Sequence, residues 1–452
     1  MPKRFEMKKM RVLLDSDSLK SDSAERLLHY NDNELFEFVS LGNSEKHTVA
    51  GLNLETENSV TNISIDKSTD YLHGYKSSTW FGYNTLDIQA VAKHLDIKYG
   101  DLILVYIFKA LTETGKDQKT ILVTERKKLL NPLHWKKESF PSVPPHSILS
   151  PDEAIIFVDL HCKKYNEFFT APNFTANKGL WYLYSMKTKL TAYQPAWSTV
   201  VFDKEITPDK DNLLKMTASL GDRITDMLIA IDEIGTSYYT NVNNDTQSEI
   251  IYHFNYWIML FTGVLDSLAW ISKYRYQIEF KQFERIGLRT SRQKDFTKLL
   301  FEQNPKLKDF LSKNSSVIKL MYDPRDLVIH RARLSGLRFD NQNENFYLNM
   351  VRIPESFFEQ IVSLSKEKGD VLATWGHYKS NGEYFLEPYR FVQKATAVLI
   401  EFTNKYLELL DFAEYRKINL QLVEQLSKDS KSESQNKFSQ DLDRFSKYKL
   451  GY

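Results

Sequence analysis

The chain has 452 residues, roughly two to three ordinary domains, and its Lys+Arg 60 against Asp+Glu 59 leave a net charge of +1. That balance excludes attachment to nucleic acid or membrane through global charge, so any such surface must be local. Hydrophobic residues at 42% exclude a mostly disordered chain, and the lone cysteine, Cys162, excludes a disulfide framework and a Cys-based zinc site.

The basic N-terminus lacks the apolar stretch and small-residue cleavage site of a signal peptide. Met10–Leu14 reads as a strand running into Asp15 and Asp17, and Thr120–Thr124 as a second strand followed by the helix-prone Glu125–Leu130. Ser147–Leu149 reads as a third. Ser150 and Glu153, with Pro151 between, form a capping box that opens a helix over Pro151–Phe168. Strands ending where helices begin predict a small α/β domain over residues 1–170, with an open parallel sheet. The polar stretch Gly42–Tyr75 reads as a surface excursion. Residues 171–207 read as a linker region, with a helix over Ala176–Lys189 and some strand content over Pro195–Ile206.

From Thr207 the pattern is helical. Met216, Leu220, Ile224, Met227, Ile231 and Ile234 step by three and four on a long helix beginning near Pro208. Thr246 and Glu249 form a second capping box, opening an apolar helix to about Tyr274. Its run Ile250–Ser272 is long enough to span a bilayer. Asp266 within it makes a buried bundle helix the better reading, and the protein is expected to be cytoplasmic. Helices are expected over Arg292–Gln303 and Lys306–Leu334. A β insertion follows, with strands Gly336–Asp340 and Phe346–Ile353, then Val371–Lys379 paired with Glu383–Pro388 across Asn381-Gly382. Phe391, Ala395, Val398, Phe402, Tyr406 and Leu409 mark the last helix of a bundle over 208–412. Residues 413–452 read as a polar tail. The expected class is α+β multidomain, with no internal repeat.

One short motif carries chemistry. Asp323-Pro324-Arg325-Asp326-Leu327-Val328-Ile329-His330-Arg331 holds an Arg, a polar residue, three variable positions and a His. It resembles the signature of the HEPN superfamily (higher eukaryotes and prokaryotes nucleotide-binding domains), at Arg325, Asp326 and His330. The resemblance covers residues 208–412, a little under half of the chain. It implies a helical bundle acting as a metal-independent endoribonuclease, in which a ribose 2′-hydroxyl attacks the adjacent phosphate. An RNA substrate, no cofactor, a homodimer and a toxin or antiphage defence role go with it.

The residue chemistry is compatible. His330 exchanges protons near neutrality, and Arg325 suits a phosphate whose charge spreads in the transition state. Asp326 lies four residues before His330, on the same helical face, where it could orient the imidazole. Arg325 and His330 stand roughly 140° apart around the helix, which favours a site shared between two copies. A helix carrying these residues could instead make only a surface Asp–Arg pair and a satisfied histidine, in a non-catalytic interaction or RNA-binding module.

Arg275, Lys281, Arg285, Arg289, Arg292 and Lys294, with Tyr274, Tyr276, Phe280 and Phe283 interleaved, form a candidate single-stranded RNA track. The alternative is a solvated loop with core-facing aromatics. Asp15, Asp17, Glu125 and Asp159 lie at or near strand ends, where acids can hold Mg²⁺, and the strand TILVT followed by a charged helix is faintly similar to PIN-like nuclease domains. A metal-dependent nuclease is therefore a third reading, and turn-forming or capping acids its plain counterpart. No metal-ligand pattern, Walker motif or nucleophile elbow occurs. The N-terminal domain would then receive a regulatory ligand or trigger protein. His161 and Cys162 are adjacent on a helix and point in different directions, against a catalytic dyad.

Overall fold

The computed structural model describes residues 9–30, 33–41, 54–56, 59–66, 71–76, 79–94, 96–114, 119–130, 147–171, 174–202, 209–240, 244–330, 334, 336–340, 347–380 and 382–412. The polar tail 413–452 lies outside them. The protein is mixed α/β and divides into two units, residues 1–165 with 339–348, and residues 166–338 with 349–452.

In the first unit the order is β1 (Met10–Asp15), α1 (Asp22–Leu28), β2 (Phe36–Leu41), β3 (Leu54–Thr56), β4 (Ser59–Asp66), β5 (Tyr71–Lys76), β6 (Thr79–Asn84), α2 (Thr85–His94), α3 (Tyr99–Thr114), β7 (Thr120–Val123), α4 (Lys127–Leu130), β8 (Ile148–Leu149) and α5 (Pro151–Lys164). The parallel sheet runs β2-β1-β7-β8. Every residue of β1 and β7 is buried, as a parallel strand covered on both faces requires. Leu102, Val105 and Phe108 of α3 pack with Leu13 and Leu122 of the sheet. The Ser150–Glu153 capping box opens α5 as expected.

The described residues of the stretch read as a surface excursion are instead in β-strands. Strands β3-β4-β5-β6 form an antiparallel sheet by successive hairpins, and Asn62–Asp66 pairs with Tyr71–Tyr75. The period-2 alternation of Ile63 and Ile65 with polar neighbours is the signal that the Asn/Ser/Thr richness obscured.

The second unit begins with the hairpin β9 (Phe169–Ala171) and β10 (Phe174–Ala176), then α6 (Lys178–Lys189) and α7 (Tyr193–Phe202). Residues 171–207 are therefore no linker. Pro195 sits in the first turn of α7, where its missing N–H has no helical partner to lose. The Thr199 hydroxyl reaches the carbonyl of Phe412, and the Asn404 side chain bridges Lys189 and Ala192, tying α6 and α7 to the last helix.

Next come α8 (Lys210–Tyr238), α9 (Asn244–Arg275), α10 (Lys294–Gln303), α11 (Pro305–Lys313) and α12 (Ser315–His330). Helix α9 starts before the expected capping box. Thr246 is buried inside its first turn, and Glu249 accepts a 2.8 Å hydrogen bond from Ser237. By length and composition α9 could cross a bilayer, yet most of its apolar window is buried within the unit. Trp257 Nε1 bonds Thr396, and Phe254, Trp257 and Phe391 interlock as rings. The single helix expected over Lys306–Leu334 divides at Asn314, whose backbone N–H and side-chain amide both donate to the Phe310 carbonyl at the end of α11.

Strands β11 (Gly336–Asp340) and β12 (Tyr347–Ile353) precede α13 (Glu355–Lys368), β13 (His377–Ser380), β14 (Glu383–Leu386) and α14 (Pro388–Leu409). The sheet order is β11-β12-β14-β13. Gly382 takes φ 80° in the β13–β14 turn, as Asn-Gly predicts. The strand expected over Val371–Lys379 holds only from His377. A 3-10 turn over Leu372–Trp375 and Gly376 at φ 66° occupy its first half. Helix α13 was not read from the sequence, although Gly369 at φ 68° closes it as a left-handed cap.

Candidate functional site

Pro324 lies inside α12 and cannot donate to the Leu320 carbonyl, so the helix is locally weakened just before Arg325 and Asp326. One turn earlier Tyr322 is buried and donates its hydroxyl to Asp266 Oδ1 of α9 at 2.8 Å. The Arg289 guanidinium stacks over the Tyr322 ring, 4.2 Å from its centre. From α8, Arg223 lies across Gly263 of α9. A Cβ at that glycine would meet Arg223 Nη1, so the guanidinium fills the space that a side chain there would take.

Asp266 is the centre of this group. Burial raises its pKa above the ordinary carboxylate value, while the Tyr322 hydrogen bond and the charges of Arg325, Arg223 and Arg289 pull it down without cancelling the rise. The same burial, with the Asp266 charge, lifts the Tyr322 phenol well above its usual range. Three guanidiniums are within electrostatic reach of one carboxylate. None forms an ion pair with it among the described residues. Arg223 and Arg325 make no ion pair among the described residues, so an anion would find positive charge here.

Asp326 does not present a free carboxylate. It accepts from Arg292 at 3.2 Å, in a pair partly open to solvent. Such a pair contributes about 0–1 kcal/mol, so Arg292 can exchange Asp326 for another anion. One carboxylate oxygen of Asp326 is thus engaged by Arg292, and its expected contact to the His330 imidazole lies outside the described residues. His330 is the last residue of α12, and its side chain lies outside the described residues.

The basic stretch divides in two. Arg275 packs over Phe412 at 5.4 Å and Arg289 over Tyr322, both built into the bundle. Lys281, Arg285, Arg292 and Lys294 are exposed around the 3-10 turn Phe283–Arg285, with Arg285 3.9 Å from Asp295. Phe283 is exposed and packs on Trp270 at 5.8 Å, with Lys273 Nζ 5.9 Å from both rings. Cations and an open aromatic face do meet there, whereas Tyr276 and Phe280 turn to Asn304 and Phe296.

In the N-terminal unit the acids meet a guanidinium. Buried Asp15 takes Arg126 Nε at 2.6 Å, Nη2 at 2.9 Å and the Thr124 hydroxyl at 2.7 Å. Asp101 takes Nη1, and Asp17 lies 3.9 Å from Nη2. This arginine, its own pKa raised by the hydrogen bond to Asp15, stands where a cation would bind. Glu125 caps the Lys20 and Ser21 amides, and its hydrogen bonds with Ser21 hold its pKa low. Asp159 pairs with Lys163 at 2.6 Å. Among the described residues no group of three or more His, Cys, Asp or Glu side chains is placed to hold a metal ion. Cys162 is buried beside Asn33 while His161 packs on Phe36 and Tyr165, so the two diverge.

Reading the sequence overlooked Arg223, Asp266 and Tyr322 as members of one site. Asp266 in an apolar run was the available signal, because a buried carboxylate needs partners. Its partners come from residues 43 before and 56 and 59 after it, and only folding assembles them. Compared with known proteins, the chain matches no family model, no curated protein and no solved structure.

Proposed function

We propose that the second unit is a metal-independent endoribonuclease of the HEPN type, cutting RNA by attack of a ribose 2′-hydroxyl on the adjacent phosphorus. The observation that carries this is the state of Arg325. Its guanidinium has no hydrogen bond or ion pair among the described residues, although it lies near Asp266 and five residues before His330. An arginine held so is available to a phosphate.

In this mechanism the 2′-oxygen forms a bond to phosphorus while the bond to the 5′-oxygen breaks. His330 takes the 2′-hydroxyl proton or supplies one to the leaving oxygen. Arg325 stabilises the charge developing on the phosphoryl oxygens. Because Arg325 and His330 diverge by roughly 140° on their helix, a two-fold dimer is the arrangement that sets both around one phosphate. A cytoplasmic toxin or defence effector fits this chemistry.

The test is RNA cleavage by the full chain. His330→Ala should lower it by roughly 10²-fold or more, and Arg325→Ala by about 3–4 kcal/mol of barrier, with little rescue by Arg325→Lys. Products should carry 2′,3′-cyclic phosphate ends, EDTA should leave the rate unchanged, and DNA should stay intact. Full activity in folded His330→Ala protein overturns the assignment.

A further inference from the structure

Helix α9 carries one continuous seam. Tyr252, Tyr256, Met259, Gly263 and Asp266 follow at steps of four, three, four and three, so they share a face over about 21 Å. The first half of the seam is open, with Tyr252 62%, Tyr256 42% and Met259 37% exposed. In the second half the Arg223 guanidinium covers Gly263, and Asp266 follows within reach of Arg289 and Arg325.

Two features of Arg223 set it apart from a surface arginine. Its one hydrogen bond among the described residues is from Nε to the Ser219 hydroxyl, at 3.3 Å, and no carboxylate pairs with it. The guanidinium lies over Gly263, in the space that a Cβ would take, between the open tyrosines and the Asp266 group. Tyr256 is itself steadied by a 3.3 Å hydrogen bond from its hydroxyl to Asp226. Guanidiniums at one end of a row of exposed rings provide charge for phosphates and π-faces for bases. An apolar protein segment laid on the same seam would bury those guanidiniums without partners, which is strongly unfavourable.

We propose that Arg223 is a second phosphate-binding residue of the site, and that single-stranded RNA runs from Arg325 across Gly263 to stack on Tyr252. This rests on the ribonuclease reading for the identity of the strand, and it adds a subsite that the Arg–His motif does not contain.

Binding of a short, fluorescently labelled 2′-O-methyl oligoribonucleotide to the full-length protein separates the two. Such a strand lacks the attacking hydroxyl and cannot be cut, so binding is read without cleavage. Arg223→Gln should weaken binding about tenfold and reduce the slope of log affinity against log salt by about one. Tyr252→Ala, far from the packed part of the seam, should weaken it by about fivefold or more with the salt slope unchanged. Lys405→Gln, on an exposed ion pair of α14, should have no effect. The proposal is overturned if wild-type protein does not bind the strand. It is overturned equally if folded Arg223→Gln and Tyr252→Ala proteins bind it as wild type does. Displacement of the strand by inorganic phosphate at constant ionic strength would reassign Arg223 to a free anion and also end it. If wild-type protein leaves ordinary RNA uncut while the Arg223 effect stands, the nuclease assignment fails and the binding subsite remains.

Discussion

The two units place charge in opposite ways. At the carboxyl edge of the parallel sheet, Asp15, Asp17 and Asp101 close on the single guanidinium of Arg126. Around α9, the guanidiniums of Arg223, Arg289 and Arg325 act electrostatically on the single carboxylate of Asp266, and none forms an ion pair with it among the described residues. The first group is saturated by bidentate contacts and a threonine hydroxyl, which is how a buried charge becomes structural. The second satisfies its carboxylate through a tyrosine, while Arg223 and Arg325 make no ion pair among the described residues. What separates a structural ion network from a candidate binding site here is whether opposite charges close on one another, more than how many charged residues gather.

The largest effect should come from breaking the closed network. Arg126→Ala leaves buried Asp15 and Asp101 without their partner and should destabilise the N-terminal unit by about 3–5 kcal/mol, read by chemical denaturation. An unchanged transition would mean that the network is not structural, and would return the acids to consideration as ligands.

Asp266 tests the open cluster through pH. Its folded-state pKa is raised, so the folded protein holds that proton more tightly than the unfolded chain. The resulting contribution to stability is fully present below about pH 4 and is lost as pH rises through the folded-state value. Asp266→Asn keeps an acceptor for Tyr322 but removes this titration. The variant should melt at an equal or higher temperature than wild type at pH 7, and the difference should vanish on acidification. A large loss of stability at pH 7 would show that the arginines do depend on this carboxylate for neutralisation.

The smallest effect is expected at the exposed pair. Asp326→Asn should change stability by about 1 kcal/mol or less, because Arg292 and Asp326 are both partly solvated. Cleavage should also change less than in Arg325→Ala. If Asp326→Asn abolished cleavage, Asp326 would have a role at the imidazole beyond its contact to Arg292.

Elements governed by local chemistry were legible in the chain. The Ser150–Glu153 cap, the positive φ of Gly382 between β13 and β14 and the stripe from Met216 to Ile234 each follow from neighbours within a few residues, and each is present. Where local signals competed, reading failed. Polarity hid strands β3 to β5, and Pro195–Ile206, read as linker with some strand content, holds most of helix α7. Thr246 looked like a cap although α9 begins before it.

The sequence by itself determined that α9 would be a buried helix, that Arg325, Asp326 and His330 would follow one another on α12, and that the N-terminal sheet would be parallel. These follow from periodicity and spacing along one segment. Only the tertiary structure decided that Arg126 closes the N-terminal acids, that Asp326 takes Arg292, and that Asp266 gathers Tyr322 with three arginines. Those contacts join residues from 23 to 111 positions apart. Charge pairing at that range depends on which helices and strands pack side by side, and hydrophobic burial chooses that packing without regard to the charges it brings together.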